Sequence, residues 1–91
     1  MNEANLNEVM AGYFDQLKID PISFKYIENK KSFVSTQPFH IDTEDPCDYL
    51  IVIKITRNIG TISIGYIDGN NYYAYRILGQ IQFDGEKWIN L

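Results

Sequence analysis

The sequence predicts an α+β fold in which one N-terminal helix packs on an antiparallel sheet of about five to six strands. Two observations carry this prediction. Residues 4–18 repeat apolar side chains with the period of a helix, and residues 49–91 contain four strand-like runs separated by short turns that carry Gly and Asn. A hairpin and an acidic loop lie between them. At 91 residues, the chain is expected to form a single domain, residues 1–91.

The predicted helix has one apolar stripe, which consists of Leu6, Val9, Met10, Tyr13, Phe14 and Leu17. We expect this stripe to pack on the sheet, and an exposed, partner-binding helix is the alternative. Asn5 and Glu8 resemble a capping box, and Asp20 before Pro21 predicts the end of the helix. Gly12 in mid-helix predicts a close approach of another part of the backbone.

A hairpin follows the helix. Residues 22–27 alternate apolar and polar side chains, as a half-buried strand does, and residues 32–37 can return beside them. Pro38 cannot donate a backbone hydrogen bond, so we expect the second strand to end there or to lie at an edge. The next segment is an acidic loop with four carboxylates, Asp42, Glu44, Asp45 and Asp48.

The four-stranded meander begins with residues 49–56. Both faces of this strand are apolar at its start, which predicts a central strand that is covered there on both sides. Residues 57–60 and 68–71 are predicted turns, and Gly79 is a candidate bulge within the third strand. Asp84-Gly85 predicts a two-residue hairpin turn that would place Ile81 opposite Trp88.

Composition excludes several classes of protein. The formal net charge is −4, which argues against a protein that binds nucleic acid or an anionic membrane directly. One Cys rules out an internal disulfide, and no apolar run approaches the length of a membrane helix. The N-terminus has no signal-peptide pattern. We therefore expect a cytoplasmic location.

A search for catalytic and metal-binding motifs predicts neither an enzyme nor a cofactor or metal site. No phosphate-binding glycine loop is present, and the acidic segment lacks the glycine of a calcium loop. Zinc needs about four ligands, whereas the chain has one His and one Cys. His40 and Cys47 are the available nucleophile–base pair. A small enzyme or ligand-binding domain that uses this region is the minor hypothesis.

Two regions are candidate binding surfaces. The acidic loop (Asp42, Glu44, Asp45 and Asp48) could be a solvated loop, a docking site for a basic partner or a weak cation site. The second region lies on two neighbouring strands and consists of Tyr66, Tyr72, Tyr73, Tyr75 and Arg76. Tyr and Arg are frequent at protein interfaces, although packing within the sheet and stacking on nucleic-acid bases are alternatives.

The leading functional hypothesis is a small acidic, non-enzymatic protein-binding module. Its most concrete version is an inhibitor that occludes a basic site on a larger protein, as toxin-immunity proteins and phage-encoded inhibitors of host defence nucleases (anti-CRISPR proteins among them) do. Acidic side chains can replace phosphates in such sites. The alternative is a homo-oligomer, such as a homodimer, that assembles through a sheet edge.

Overall fold

The structure is a computed structural model that describes residues 5–41 and 47–91. Helix α1 spans Leu6–Leu17. The strands are β1 (Phe24–Ile27), β2 (Ser32–Ser35), β3 (Leu50–Thr56), β4 (Ile59–Asp68), β5 (Asn71–Phe83) and β6 (Trp88–Asn90). They form one sheet in chain order, and every neighbouring pair is antiparallel. This architecture confirms the predicted α+β fold with one N-terminal helix and a hairpin followed by a meander.

Helix α1 packs on the sheet through the predicted apolar stripe. Its buried members are Leu6, Val9, Met10, Phe14 and Leu17, and Tyr13 is half-buried. The helix ends earlier than Asp20-Pro21 predicts, because Lys18 adopts a left-handed conformation (φ 58°). The Lys18 amide donates to the Asp15 carbonyl and the Ile19 amide donates to the Phe14 carbonyl, so the last turn is closed by its own backbone.

The predicted capping box does not form at the start of α1. Asn5 occupies the N-cap position, but its side chain makes no capping hydrogen bond. Instead, Asn5 Nδ2 donates to the Trp88 carbonyl at 2.8 Å, and Asn5 Oδ1 accepts from the Trp88 amide at 2.9 Å. The side-chain amide of Asn5 thus makes the two hydrogen bonds that a neighbouring strand would make with Trp88. These bonds connect the first turn of α1 to β6.

The core lies between α1 and one face of the sheet. The isoleucines of the two central strands supply its centre, and Ile51, Ile53, Ile62 and Ile64 are fully buried. Trp88 joins this core from β6, with its ring centroid 5.2 Å from that of Phe83 and 6.3 Å from that of Phe33. We call the face of the sheet that carries these isoleucines and packs against α1 the helix-side face.

The opposite face of β3 is not covered as predicted. Leu50 and Val52 are half-buried, and among the described residues they line a groove rather than a second core layer. The sequence shows that both faces of β3 are apolar, but it does not show whether another element of the fold lies over the second face.

Two irregularities shift the pairing of β4 with β5. Ile62 pairs with Gly79 while Ser63 pairs with Ile77, so Leu78 is an extra residue next to the predicted bulge at Gly79. A second shift makes Tyr75 an extra residue between Arg76 and Ala74. Each extra residue exchanges the two faces of the strand that follows. The sequence predicts a bulge at Gly79 but not the second shift at Tyr75.

The C-terminal hairpin has a different register from the one predicted. Phe83 pairs with Trp88, and Ile81 pairs with Asn90, so four residues rather than two connect the strands. Asp84 makes this turn, because its Oδ1 accepts from the amides of Glu86 and Lys87, both at 2.9 Å. The predicted turn at residues 57–60 is also shorter, since Thr56 already pairs with Ile59.

The close backbone approaches lie in the sheet rather than at Gly12, where a Cβ would meet nothing within 4 Å. At Gly65, a Cβ would collide with the Tyr73 carbonyl oxygen and would lie 2.6 Å from the Tyr72 hydroxyl. At Gly79, it would collide with the hydroxyl of Tyr13 on the helix. Glycine therefore permits the tight packing of β4 on Tyr72 and of α1 on β5. No helix within the described ranges is long and apolar enough to cross a membrane.

Candidate binding surfaces

Three exposed tyrosines surround a buried one at the end of the sheet that is formed by the β4–β5 turn. The ring centroid of Tyr49 lies 5.5 Å from that of Tyr75 and 6.5 Å from that of Tyr66. Tyr66 stacks on Tyr73 at 5.5 Å, and Phe39 lies 6.5 Å from Tyr49. We call these five residues the tyrosine cluster.

The tyrosine cluster continues the helix-side face beyond the core. Tyr49 precedes β3 on the same side as Ile51 and is 5% exposed, whereas Tyr75 is 59% exposed. The amides and carbonyls of Phe39 and Tyr49 exchange hydrogen bonds of 3.0 and 2.8 Å, so this pair fixes one edge of the cluster. Aromatic rings held by such contacts can bind a partner with little loss of side-chain entropy.

The structure separates one residue of the predicted aromatic surface, Tyr72, from this cluster, whereas Arg76 stays on the helix-side face. Tyr72 pairs with Ile67, and its ring lies against Gly65 and Ser63 on the opposite face of the sheet. Arg76 is exposed and pairs with Ile64. The predicted set is therefore divided between the two faces. Tyr72 and Tyr73 do point to opposite sides, as the alternation along a strand requires.

The described residues that flank the acidic loop lie beside the tyrosine cluster. Asp42, Glu44 and Asp45 lie outside the described residues. Asp48 is exposed, and its Oδ1 lies 3.2 Å from Nε2 of His40. Both side chains are more than half exposed, so this contact stabilises the fold little. Cys47 is also exposed. Because His40 follows Phe39 and Asp48 precedes Tyr49, the described ends of the loop adjoin the tyrosine cluster.

A groove of about 590 Å³ lies on the sheet face opposite the helix. Its floor consists of side chains from β2, β3, β4 and β5, which the register places in rows across the sheet. The residues that line it include Val34, Leu50, Val52, Ile67, Tyr72, Ala74 and Ile77. The sequence analysis did not predict this groove. The sequence feature that corresponds to the groove is the apolar start of β3. That pattern is typical of a strand covered on both faces, so it predicts a second core layer and not an open groove.

Tyr72 forms part of the groove floor. Its hydroxyl lies 3.1 Å from Ser63 Oγ, which is a hydrogen bond between two half-buried side chains. Burial raises the pKa of Tyr72 above its ordinary value of 10.0, and the Ser63 hydrogen bond offsets part of that effect. Tyr72 is therefore neutral at physiological pH and serves as an apolar ring in the groove.

In residues 5–41 and 47–91, no three His, Cys, Asp or Glu side chains are grouped closely enough to hold a metal ion. The described surfaces that stand out are instead the tyrosine cluster and the groove, which lie on opposite faces of the sheet.

These features define an α+β protein in which one helix packs on a six-stranded antiparallel meander, with an aromatic cluster at one end of the sheet and a groove across the face opposite the helix. Comparisons of the chain with protein-family models, with curated proteins and with solved structures found no match.

Proposed function

We propose that the chain is a non-enzymatic protein-binding module whose partner contacts the exposed end of the β4–β5 hairpin. One observation carries the proposal. Of the seven large hydrophobic side chains that are exposed among the described residues, five lie on this hairpin: Tyr66, Ile67, Tyr73, Tyr75 and Ile77. The three tyrosines lie together on the helix-side face, and the two isoleucines lie on the groove face. Exposed apolar side chains that cluster are typical of interaction sites, whereas single ones are common on any surface.

The chemistry of the tyrosine cluster favours a protein as the partner. Tyr66, Tyr73 and Tyr75 present apolar rings with a polar hydroxyl, and Arg76 lies beside them in the chain. These residue types contribute much of the binding energy at protein interfaces. The buried ring of Tyr49 supports Tyr66 and Tyr75 from below, so both are held before a partner arrives.

In its more specific form, the proposal is that the chain inhibits a larger protein by occluding a basic site, as a toxin-immunity protein or an inhibitor of a defence nuclease would. The net charge of −4 and the acidic loop support this form. Asp48 is exposed beside Tyr49, so acidic and aromatic side chains could contact one partner together.

Site-specific photocrosslinking tests the proposal. A benzoylphenylalanine in place of Tyr75 should form a discrete adduct with one protein in a lysate of the native host, because Tyr75 is 59% exposed within the tyrosine cluster. The same photoreactive chain with the additional substitutions Tyr66→Ala and Tyr73→Ala should lose most of the adduct. The adduct is identified by mass spectrometry.

The same photoreactive residue at Gln16, on the exposed side of α1, is the matched control. Adducts of equal yield and identity from both positions would show that the hairpin has no specific role. An adduct with nucleic acid would likewise contradict the proposal.

Self-association is the second candidate function, and the long free edge of β5 favours it. Strand β6 pairs with β5 at residues 81–83, and no strand among the described residues pairs with residues 71–79 on that side. Unpaired edges can add a strand from another copy. We expect this arrangement to give a dimer in sedimentation experiments at micromolar concentration. A monomer under those conditions would contradict the self-association hypothesis.

A further inference from the structure

The residues that line the groove opposite the helix change from polar to apolar along the strands. The register places Ile27, Ser32, Lys54 and Thr61 in one row across β1 to β4. The next row consists of Val34, Val52, Ser63 and Ile77. Beyond it, Leu50 and Ala74 flank Gly65, and Ile67 pairs with Tyr72. One end of the groove is therefore polar, and the rest is apolar.

The charged side chains at the polar end have the same sign. Lys30 and Lys54 both line the groove, and no carboxylate does among the described residues. This contrasts with the whole chain, in which twelve acidic residues outnumber eight basic ones. Thr61 pairs with Lys54 and adds a hydroxyl group that can donate, whereas the Ser32 hydroxyl already donates to the Lys30 carbonyl at 2.9 Å. This end of the groove matches an anionic group that accepts hydrogen bonds.

The apolar end contains few polar groups, and those it has are paired with each other. Ser63 Oγ lies 3.1 Å from the Tyr72 hydroxyl and 3.4 Å from the Val52 carbonyl oxygen. A hydrocarbon placed here would leave neither hydroxyl unsatisfied. Ile67 and Ile77 are 56% and 67% exposed in the absence of an occupant, so covering them would remove apolar surface from water.

We propose that this groove binds a free single-chain fatty acid or a similar anionic amphiphile, with its carboxylate between Lys30 and Lys54 and its alkyl chain across Val52 toward Ala74. The charge at one end and the paired polar groups at the other match the two parts of such a molecule.

The dimensions suit a small molecule. The groove volume of about 590 Å³ lies within the range of roughly 300–1,000 Å³ that is usual for ligand pockets. Lys54 and Leu50 are four residues apart on β3, which is about 13 Å along a strand. An alkyl chain can extend over that distance from a carboxylate held at the lysines, and the hairpin residues Ile67 and Ile77 can lie over its sides.

Titration with dodecanoate below its micelle concentration tests the proposal, with amide NMR spectra of the isotope-labelled chain as the readout. We expect saturable shifts confined to groove strands, near Val52, Ser63 and Ala74. Lys54→Glu should weaken binding about tenfold, as loss of a charge-assisted contact would. Lys87→Glu makes the same charge change at an exposed position of the β5–β6 turn outside the groove lining, and we expect an effect of roughly twofold at most.

Two further comparisons test each half of the ligand. Dodecyltrimethylammonium, which carries the same alkyl chain on a cationic head, should bind at least about tenfold more weakly than dodecanoate. Ala74→Trp should fill the groove at an exposed position and abolish dodecanoate binding. Gln16→Trp, at an exposed position of α1 on the other side of the sheet, should leave it intact. Thermal melts establish that all variants fold.

Absence of saturable shifts would overturn the proposal, as would shifts centred on the tyrosine cluster instead of the groove. Equal affinity for the two head groups, together with wild-type affinity in Lys54→Glu, would also overturn it. If Ala74→Trp abolished capture of a partner protein while dodecanoate failed to bind, the groove would be a site for a macromolecule and not for an amphiphile.

Discussion

Gly65 is the residue at which the packing of the hairpin is most restricted. A Cβ there would collide with the Tyr73 carbonyl oxygen and would lie 2.6 Å from the Tyr72 hydroxyl. Backbone cannot move aside as a flexible side chain can, so we expect Gly65→Ala to lower the free energy of unfolding by about 2–3 kcal/mol. Urea denaturation followed by circular dichroism measures this change.

Gly12→Ala is the matched control for Gly65→Ala. Gly12 is exposed within α1, and a Cβ there meets nothing within 4 Å. The same substitution should therefore raise the free energy of unfolding by roughly 0.5–1 kcal/mol through helix propensity. A loss of stability at Gly12 that equalled the loss at Gly65 would show that packing on Gly65 is not the cause.

Asn5 is a link between α1 and β6 rather than a helix cap. An aspartate caps a helix about as well as an asparagine does, but it cannot donate to the Trp88 carbonyl. We expect Asn5→Asp to lower the free energy of unfolding by about 1–2 kcal/mol. Asn7→Asp adds the same charge at an exposed position of the first turn, where it should be neutral or slightly stabilising. Equal stability of Asn5→Asp and the wild type would instead identify a cap.

At the scale of the element, the β5–β6 turn depends on one carboxylate. Hydrogen bonds from the amides of Lys87 and Glu86 hold the pKa of Asp84 below its ordinary value of 3.8. Because the folded pKa is the lower one, its contribution to stability is complete above the unfolded pKa. That contribution is lost as the pH falls through the folded pKa.

Asp84→Asn keeps the side-chain oxygen that accepts these hydrogen bonds but removes its charge. We expect the variant to melt at a lower temperature than the wild type at about pH 6, and the difference to disappear in acid below the folded pKa. Calorimetric melts across this range measure the effect. A difference in melting temperature that persisted unchanged in strong acid would mean that the charge of Asp84 does not hold the turn.

The bulges of β5 decide which side chains meet at the end of the sheet. A regular strand would place Tyr73, Tyr75 and Ile77 on one face. The extra residue Tyr75 instead turns Ile77 toward the groove, and the ring of Tyr75 contacts Tyr49 on the other side. The extra residue Leu78 then restores the original alternation, with Gly79 opposite Ile62. One hairpin therefore supplies both the tyrosine cluster and the apolar end of the groove.

At the scale of the whole molecule, the distribution of charge sets the expected salt dependence of partner binding. If the acidic loop contacts a basic site, replacing Asp42, Glu44, Asp45 and Asp48 with Asn or Gln should weaken binding to the captured partner. It should also reduce the slope of affinity against salt concentration, since fewer charge pairs are screened. Affinity that survived this change at every salt concentration would exclude the acidic-mimic form of the proposal.

The sequence by itself determined the helix, its buried stripe, the strands and their order. These depend on local periodicity and turn residues, which a chain carries in its own residue spacing. It also located the β4–β5 hairpin as unusually rich in tyrosine.

Tertiary structure alone decided the pairing of Asn5 with β6, the C-terminal register, the second bulge and the groove. These features depend on contacts between distant residues, since Asn5 and Trp88 are separated by 83 positions. A bulge exchanges the faces of a strand without changing its composition. Whether an apolar strand face is covered or open depends on the elements that pack around it. The groove opposite the helix exists because no described element covers that face of the sheet.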